Sequence, residues 1–321
     1  MQFKSRFSIL GTGCAVPENK VTNFDLEKHF ETSDEWIRRR TGIHERRITK
    51  EKSEFTNSIL ITQAANKALQ MADVPAESLD LIIVGTVTGD AVIPATAVLV
   101  QNNLGAHNAL SFDITAACTG FILGLEIAGH YLANSSFKRA LVVGSEVLSR
   151  YLTFKKRETD VLFADGSGAV VLEKTRSEQG LLASYTATDA SFWNSIVIPG
   201  IDSPLQRTVH LDGKTVFKQA VHYISSSCEK TLVVCDFPIE KVDHFIFHQA
   251  NVRINQAIAE KLNIPENKIH MNIHKYGNTS AASIPILLDE VYREGKIKRG
   301  DYIVMGALGS GLAYGSALLR W

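Results

Sequence analysis

The fold of this chain is decided by Asp113-Ile114-Thr115-Ala116-Ala117-Cys118-Thr119-Gly120 and the run that follows it to Leu132. The segment after Cys118 is apolar on every side at helical length, which predicts a helix at the centre of a large fold. The strand-like residues 109–113 would place Cys118 in the first turn of that helix. The helix dipole favours a thiolate there, so we predict a lowered pKa and a nucleophilic Cys118. The alternative is a buried cysteine that only packs.

The composition excludes some classes of partner and leaves the number of domains open. The chain has 321 residues, enough for one large domain or two fused halves. Lysine plus arginine equals aspartate plus glutamate, at 34 each. Without a net charge, the protein has no overall field that attracts nucleic acid or a membrane surface, and an acidic partner would need a local basic patch.

The cysteines indicate a reducing compartment. The chain has four of them, with neither a Cys-x-x-Cys pair nor zinc-finger spacing, so we expect free thiols and a cytoplasmic protein. Residues 114–133 come closest to a membrane span. Glu126 and His130 within this segment, together with its glycines, favour a core helix of a soluble protein instead.

Helical patterns alternate with short apolar, β-rich runs along the whole chain, which predicts an α/β fold with sheets covered on their faces. The second half repeats the plan of the first. Residues 302–319 echo the strand, Gly-Ser-Gly and strand at 140–172, and residues 243–262 echo the strand at 80–84 with its helix. We therefore predict two duplicated halves, 1–175 and 176–321, in one compact body with sites at their junction.

Two later segments offer partners for Cys118. His248 ends the strand 243–248, and Asn278 lies in a loop that opens an amphipathic helix, so both occupy places where α/β folds display reactive groups. Each has an ordinary structural role as its alternative, a packed histidine or a turn asparagine. Shared metal binding by His244 and His248 is excluded by geometry, because four residues along a strand span roughly 13 Å.

The order Cys, His, Asn is also that of papain-like hydrolases, at a comparable separation along the chain. The Cys-Gly-Ser-Cys-Trp type of signature is missing, so a cysteine-dependent thioester hydrolase is the second class. A further feature is Trp36 beside the basic run Arg38-Arg39-Arg40. This run could be a solvated helix face, or Trp36 could stack an adenine while arginines hold phosphates.

Taken together, the motifs closely resemble those of β-ketoacyl-ACP synthase III, a condensing enzyme of the thiolase superfamily. They span nearly the whole chain in order: Thr-Ser-Asp-Glu-Trp-Ile (32–37), Arg-Thr-Gly-Ile (40–43), Ala-Ala-Cys (116–118), His-Gln-Ala-Asn (248–251), Gly-Asn-Thr-Ser-Ala-Ala-Ser (277–283) and Gly-Ser-Ala-Leu (315–318). The resemblance implies a five-layer αβαβα thiolase-like fold, usually as a homodimer. It implies no permanently bound cofactor, with acyl-CoA and malonyl-ACP as substrates.

The resemblance also implies a ping-pong Claisen condensation that initiates fatty-acid synthesis. Cys118 would take the acyl group from acyl-CoA, and the carbanion formed when malonyl-ACP loses carbon dioxide would attack the acyl-enzyme. The developing thioester enolate needs hydrogen-bond donors more than a strong base. Neutral His248 and the amide of Asn278 would supply them.

Binding residues are implied by match of position. Trp36, Arg40 and Arg157 would hold the adenine end of CoA, and Lys214 and Phe217 would line its tunnel. The surface that receives acidic ACP would be formed by Lys218, Gln249, Arg253 and Lys261. Ile93 lies where the family lets the dimer partner close the acyl pocket, so its bulk would influence which chain lengths fit.

This chain departs from the family in the segment that closes the site. It reads Leu-Gly-Ser-Gly-Leu-Ala-Tyr-Gly (308–315) where the family often reads Phe-Gly-Gly-Gly-Phe-Thr-Trp-Gly. Ser310 sits where a glycine amide helps form the oxyanion hole, and Leu308 replaces an aromatic beside the nucleophile. Lys214 and Glu260 also differ from the common residues. These changes leave open a specialised paralogue that primes a polyketide or other secondary-metabolite chain.

Overall fold

The computed structural model describes residues 7–50, 56–134, 136–175, 179–200 and 202–321. Its strands are β1 (Phe7–Ala15), β2 (Lys20–Thr22), β3 (Glu45–Arg47), β4 (Leu81–Gly85), β5 (Leu110–Ile114), β6 (Arg139–Val147), β7 (Asp165–Lys174), β8 (Gly180–Thr188), β9 (Ile196–Val197), β10 (His210–Leu211), β11 (His244–Phe247), β12 (Tyr302–Leu308) and β13 (Ala313–Arg320). Its α-helices are α1 (Asn23–Glu27), α2 (Asp34–Thr41), α3 (Thr56–Ala72), α4 (Thr96–Leu104), α5 (Gly120–Asn134), α6 (Arg157–Asp160), α7 (Gly213–Val234), α8 (Val252–Lys261), α9 (Ile273–Tyr276) and α10 (Ser283–Arg293).

The first large sheet has the strand order β1-β7-β6-β4-β5. Strand β4 pairs in parallel with β5 and β6, whereas β7 runs antiparallel to both β6 and β1. Every residue of β4 is buried, as expected for a parallel strand that helices cover on both faces. Since the chain must cross over between parallel strands, α4 and α5 lie in the connections that lead from β4 to β5 and from β5 to β6.

The second large sheet has the order β11-β12-β13-β8 and repeats this pattern. Strand β11 is parallel to β12, and β13 is antiparallel to β12 and β8. Where the first sheet adds β5, the second has a single parallel bridge between Phe245 and Ile269. The predicted boundary near residue 175 adjoins residues 176–178, which lie outside the described part of the chain.

The helices and the two sheets form five layers. Helices α3 and α4 cover the outer face of the first sheet, and α7 packs on the outer face of the second and against α8. Helices α5 and α10 lie between the sheets, and each contacts strands of both. This arrangement confirms the predicted αβαβα fold, and it explains why α5 is apolar on every side. No described helix is both long enough and apolar enough to span a membrane.

The backbones of α10 and of the 3-10 turn Ser280–Ala282 pack directly against the backbone of the first sheet. A Cβ atom at Gly144 of β6 would lie 2.0 Å from the carbonyl oxygen of Ala281. At Gly168 of β7 it would lie 2.7 Å from the backbone nitrogen of Ile286. Only glycine leaves room for this approach, which places the turn directly beside the end of β5 and the start of α5.

We expect Gly144→Ala to lower the free energy of unfolding by about 2 kcal/mol or more, since its methyl group would overlap the backbone of Ala281. The matched control is Gly213→Ala at the start of α7, where an added Cβ meets no atom within 4 Å among the described residues. Urea unfolding of both variants measures the difference. Equal stabilities would contradict the importance of this contact.

Candidate active site

Cys118 lies at the sharp turn between β5 and α5. The turn Ala117–Thr119 is a 3-10 helix, and α5 itself begins at Gly120, so Cys118 precedes the α-helix that was predicted to contain it. Ala117 has a positive φ of 45°, and Thr119 donates both its amide and its hydroxyl hydrogen to the carbonyl oxygen of Ala116. The turn is thus fixed in an uncommon conformation that presents the sulfur to a cavity.

The cavity has a volume of about 490 Å³ and brings Cys118, His248 and Asn278 together on its wall. These three side chains come from segments far apart in sequence. The remaining wall is mainly apolar and includes Val87, Leu148, Phe163, Ile198, Val209, Leu211, Val216, Phe217, Ile254 and Leu308. Such a mixture of an apolar lining with a few convergent polar groups is typical of a small-molecule site.

His248 directly follows β11, and its amide hydrogen bonds to the carbonyl oxygen of Gly306, 2.9 Å away, which prolongs the pairing with β12. Its Nδ1 is 2.7 Å from Oγ of Ser283. The same Oγ accepts the amide hydrogen of Gln249. We therefore assign the Ser283 hydroxyl as the donor to Nδ1, so that the ring hydrogen of His248 is on Nε2. Burial lowers the pKa of His248 to about 3, so the ring is neutral at physiological pH.

Asn278 is held by the other half of the chain. Its backbone amide donates to the carbonyl oxygen of Leu162 at 2.8 Å, and its backbone carbonyl oxygen accepts from the amide of Ala164 at 2.9 Å. Its side-chain oxygen accepts the amide hydrogen of Ser280 at 2.9 Å. The oxygen is therefore engaged within the loop, and the NH2 group remains as the hydrogen-bond donor of this amide.

The sulfur of Cys118 is 3.4 Å from Oγ of Ser280. Burial raises the pKa of Cys118 to about 12, although its hydrogen bond with Ser280 lowers it. The lowered pKa predicted from the helix dipole is therefore wrong. Desolvation of the thiolate costs more free energy than its interaction with the start of the helix contributes. The buried charge of Glu146 raises the pKa of Cys118 further.

The closing segment 308–315 comes within reach of the nucleophile. A Cβ atom at Gly309 would lie 2.8 Å from the amide nitrogen of Cys118, so this glycine allows the close approach. Ser310 lines the cavity, and its hydroxyl donates to the carbonyl oxygen of Ile196 at 2.6 Å. Leu308 is buried in the wall. The serine that replaces a family glycine is thereby tied to the neighbouring β9.

The residues predicted to bind CoA divide into two groups. Trp36, Arg40 and Arg157 come together, since the guanidinium carbons of Arg157 and Arg40 lie 4.6 and 5.9 Å from the centre of the Trp36 ring. Phe217 lines the cavity itself. Lys214 is exposed on α7 and is not among the residues that line the cavity.

The predicted docking surface also divides. Lys218 on α7 and Arg253 and Lys261 on α8 are exposed, and the guanidinium carbon of Arg253 lies 5.7 Å from the ring centre of Phe217. Gln249 is only 1% exposed, so its assignment to a docking surface is wrong. Its side chain donates to the carbonyl oxygen of Phe247 and accepts from the amide of Asn272, which makes it a brace of the His248 loop.

Ile93 is 84% exposed, next to the equally exposed Val92, and it does not line the cavity of its own chain. Two contacts of the site were not found from the sequence, namely Ser283 on His248 and Ser280 on Cys118. Both serines lie in the motif 277–283, but their targets depend on packing. Among the described residues, no group of three or more histidine, cysteine, aspartate or glutamate side chains could hold a metal ion.

Comparison with known proteins identifies the family of this chain. Residues 112–190 match the family described as 3-oxoacyl-[acyl-carrier-protein (ACP)] synthase III, and residues 235–321 match its C-terminal family. The β-ketoacyl-[acyl-carrier-protein] synthase III of Aquifex aeolicus is 46% identical over 98% of this chain and 99% of its own length. That of Caldanaerobacter subterraneus is 44% identical over 98% of this chain and 97% of its own.

Comparison with solved structures identifies the same family. The Aquifex aeolicus synthase III structure superposes with a TM-score of 0.94 over 98% of this chain and 100% of that chain, at 46% identity. The Pseudomonas aeruginosa structure gives 0.93 over 98% of each chain, at 36% identity. The resemblance and the thiolase-like fold predicted from the motifs are confirmed. The chain belongs to the β-ketoacyl-[acyl-carrier-protein] synthase III family and is a condensing acyltransferase.

Proposed function

We propose that this protein condenses an acyl-CoA primer with malonyl-ACP to give β-ketoacyl-ACP, the step that initiates fatty-acid synthesis, and that Cys118, His248 and Asn278 carry the reaction. The observation that supports this most is the shared cavity, in which one thiol meets two neutral hydrogen-bond donors. Cys118 would come from an N-terminal half, 1–175, and the two donors from a C-terminal half, 176–321. The reaction would then take place at the junction of the halves.

The protonation states fit two successive uses of this cavity. Cys118 would receive the acyl group and release CoA. Decarboxylation of malonyl-ACP would then build negative charge on the thioester oxygen, where His248 Nε2–H and the Asn278 amide can donate. A histidine with a pKa of about 3 stays neutral at physiological pH, which suits a donor that stabilises an enolate. The apolar wall leaves that charge little other solvation.

The surface features support two binding regions around the mouth of the cavity. Trp36 with Arg40 and Arg157 combines an aromatic face and two cations, which suits an adenine and its phosphates. Lys218, Arg253 and Lys261 lie on the packed helices α7 and α8 and would receive the acidic carrier protein. Phe217 links the second region to the cavity, since it lines the cavity and lies under Arg253. Lys214, exposed on α7, would stand beside the CoA chain.

We further propose a cytoplasmic homodimer. Val92 and Ile93 form an exposed apolar pair that a second copy could bury, with Ile93 closing the acyl pocket of the partner. The four cysteines are free thiols, which suits a reducing compartment.

A primer of polyketide chains is the second candidate within this class. The structure of the priming β-ketosynthase from the R1128 polyketide biosynthetic pathway superposes with a TM-score of 0.93 over 100% of this chain and 97% of that chain, at 28% identity. The higher identity to synthase III relatives favours the fatty-acid starter reaction. Leu308 and Ser310, at the closing segment, are the residues on which a different primer choice would depend.

We expect Cys118→Ala to abolish acyl transfer from acyl-CoA, because no other cysteine lines the described cavity. Intact-protein mass measurement after incubation with a panel of acyl-CoAs detects the acyl-enzyme and also identifies the preferred primer. Cys235→Ala, which removes a half-buried thiol at the end of α7, is the control and should acylate normally. Full self-acylation of Cys118→Ala would refute the nucleophile. Rapid loss of the acyl group to water without malonyl-ACP would favour the thioester hydrolase.

His248→Ala should still form the acyl-enzyme but should release carbon dioxide from malonyl-ACP about 10²-fold more slowly, the usual effect of losing an oxyanion donor. Radiolabelled carbon dioxide release measures this step by itself. His222→Ala, on the exposed face of α7, is the control. An unchanged release rate would show that His248 is not a donor to the enolate.

We expect the double variant Lys218→Glu/Lys261→Glu to raise the KM for malonyl-ACP about 10-fold at low salt, since it reverses two charges of the docking surface. Acylation by acyl-CoA should not change, because neither lysine lines the cavity. Lys138→Glu, just before β6, provides a control for the change in charge. A KM that matches the native enzyme would place the carrier protein elsewhere.

A further inference from the structure

A buried carboxyl group is connected to the nucleophile, and the condensation steps described above do not use it. Glu146 of β6 is fully buried, and Ser280 lies between it and Cys118. The Ser280 hydroxyl is 3.4 Å from the Cys118 sulfur and 3.4 Å from Oε1 of Glu146. Sulfur, hydroxyl and carboxylate therefore form a continuous chain of hydrogen-bonding groups.

The carboxyl group of Glu146 is held by neutral hydrogen-bond donors. It accepts hydrogen bonds from the Thr88 hydroxyl at 2.6 Å, and from the Thr86 hydroxyl and the Val87 amide at 3.2 Å. Among the described residues, no lysine, arginine or histidine pairs with it. A buried carboxylate that is bonded only by neutral donors can accept a proton from a neighbouring group, and later return it, at a small cost in free energy.

Ser280 is held in the orientation that this chain requires. Its φ is +50°, in the left-handed region that side chains other than glycine rarely adopt. The Asn278 side chain accepts the Ser280 amide hydrogen and stabilises this conformation. A serine that is kept in a costly conformation at a reactive centre is more informative than a serine in a relaxed turn.

We propose that Ser280 and Glu146 form a proton relay that takes the Cys118 thiol proton during acylation and returns it after condensation. This inference rests on the proposed role of Cys118 as the nucleophile. Ser280 contacts the reacting sulfur, whereas Glu146 acts through Ser280 and is a positioning and proton-storing residue.

The proton balance closes over one cycle. In the first step, the thiol hydrogen passes to Ser280 Oγ while the Ser280 hydrogen passes to the Glu146 carboxylate. The thiolate attacks the acyl thioester, the C–S bond to CoA breaks, and CoA leaves as a thiolate that takes a proton from water. In the second step, condensation releases the Cys118 thiolate, and the proton returns from Glu146 through Ser280.

The relay also removes an electrostatic conflict. An ionised Glu146 disfavours a thiolate on Cys118, since both charges would be buried together. Transfer of the proton leaves one negative charge on the pair when the thiolate forms, instead of two. Charged groups on the neighbouring strand β7 are Asp165, Glu173 and Lys174. The ion pair of Arg150 with Asp90 lies beside Thr88, to whose carbonyl oxygen Arg150 also donates.

Alkylation of Cys118 by iodoacetamide between pH 5.5 and 9 tests the relay without any acyl-CoA. Burial raises the pKa of Glu146 to about 7, so the native rate is expected to rise through pH 7 as the carboxylate forms and becomes able to accept the proton. In Glu146→Gln this rise should disappear, and the rate at pH 7.5 should fall about 10²-fold, the lower end of the usual range for a lost general base. The alkylated Cys118 peptide is quantified by mass.

Two further variants complete the design. Ser280→Ala should be slowed to a similar extent, and it keeps the hydrogen bonds of Glu146 to Thr88 and Val87, so it decides the question if Glu146→Gln does not fold. Asp165→Asn alters a buried carboxyl group that accepts from Ser149 and lies outside the cavity wall, and it should keep the native pH profile. Single-turnover acylation should show a lower rate with an unchanged half-saturating acyl-CoA concentration in both relay variants. Thermal unfolding confirms that each variant is folded.

Folded Glu146→Gln and Ser280→Ala proteins with the native rate and pH profile would overturn the relay. Faster alkylation of Glu146→Gln would also overturn it, because Glu146 would then act only by repelling the thiolate. If the native Cys118 shows the expected profile with iodoacetamide but accepts no acyl group from any acyl-CoA, the relay stands and the proposed function fails.

Discussion

The close approach of two backbones at Gly144 and Ala281 is the constraint on which the site depends. No side chain separates the first sheet from the turn that precedes α10, so the turn lies against the ends of the strands rather than a layer away from them. The backbone pairing of Asn278 with residues 162–164 fixes the same loop a second time. Together they bring Ser280 to the sulfur of Cys118 and the Asn278 amide to the wall of the cavity.

Burial determines the protonation states at the centre of this site. The same loss of water raises the pKa of Cys118 and Glu146 and lowers that of His248, so each group favours its neutral form. In a site of neutral groups, charge develops only during the reaction. Hydrogen-bond donors in such surroundings stabilise that charge more strongly than they would in water. The buried Ser283 hydroxyl contributes by orienting the imidazole and selecting its tautomer.

Much of the fold, and the three side chains that meet in the cavity, could be predicted from local pattern. The apolar run after Cys118 indicated a helix buried on every side, and α5 lies between the two sheets as expected. The repeat of parallel and antiparallel strands is present in both sheets, although Gly-Ser-Gly (166–168) lies within β7 and only Gly-Ser-Gly (309–311) lies between two strands. The wrong predictions are those in which a local sequence pattern was used to infer a property that depends on the surrounding structure. The position of Cys118 near a helix start predicted a lowered pKa, but the desolvation of the cavity outweighs it. Gln249 was assigned to the surface with its motif neighbours, yet it turns inward to brace the loop.

The sequence by itself determined the α/β layers, the family, and the thiol, imidazole and amide that meet in one cavity. These follow from periodicity and from motifs, which are properties of neighbouring residues in the chain. Only the tertiary structure showed that Glu146, an acidic residue within the apolar strand β6, is connected to Cys118 through Ser280. It also decided the direction of every pKa shift at the centre of the site. Both depend on distances between segments more than 100 residues apart and on the exclusion of water, and neither quantity is encoded in any local stretch of the chain.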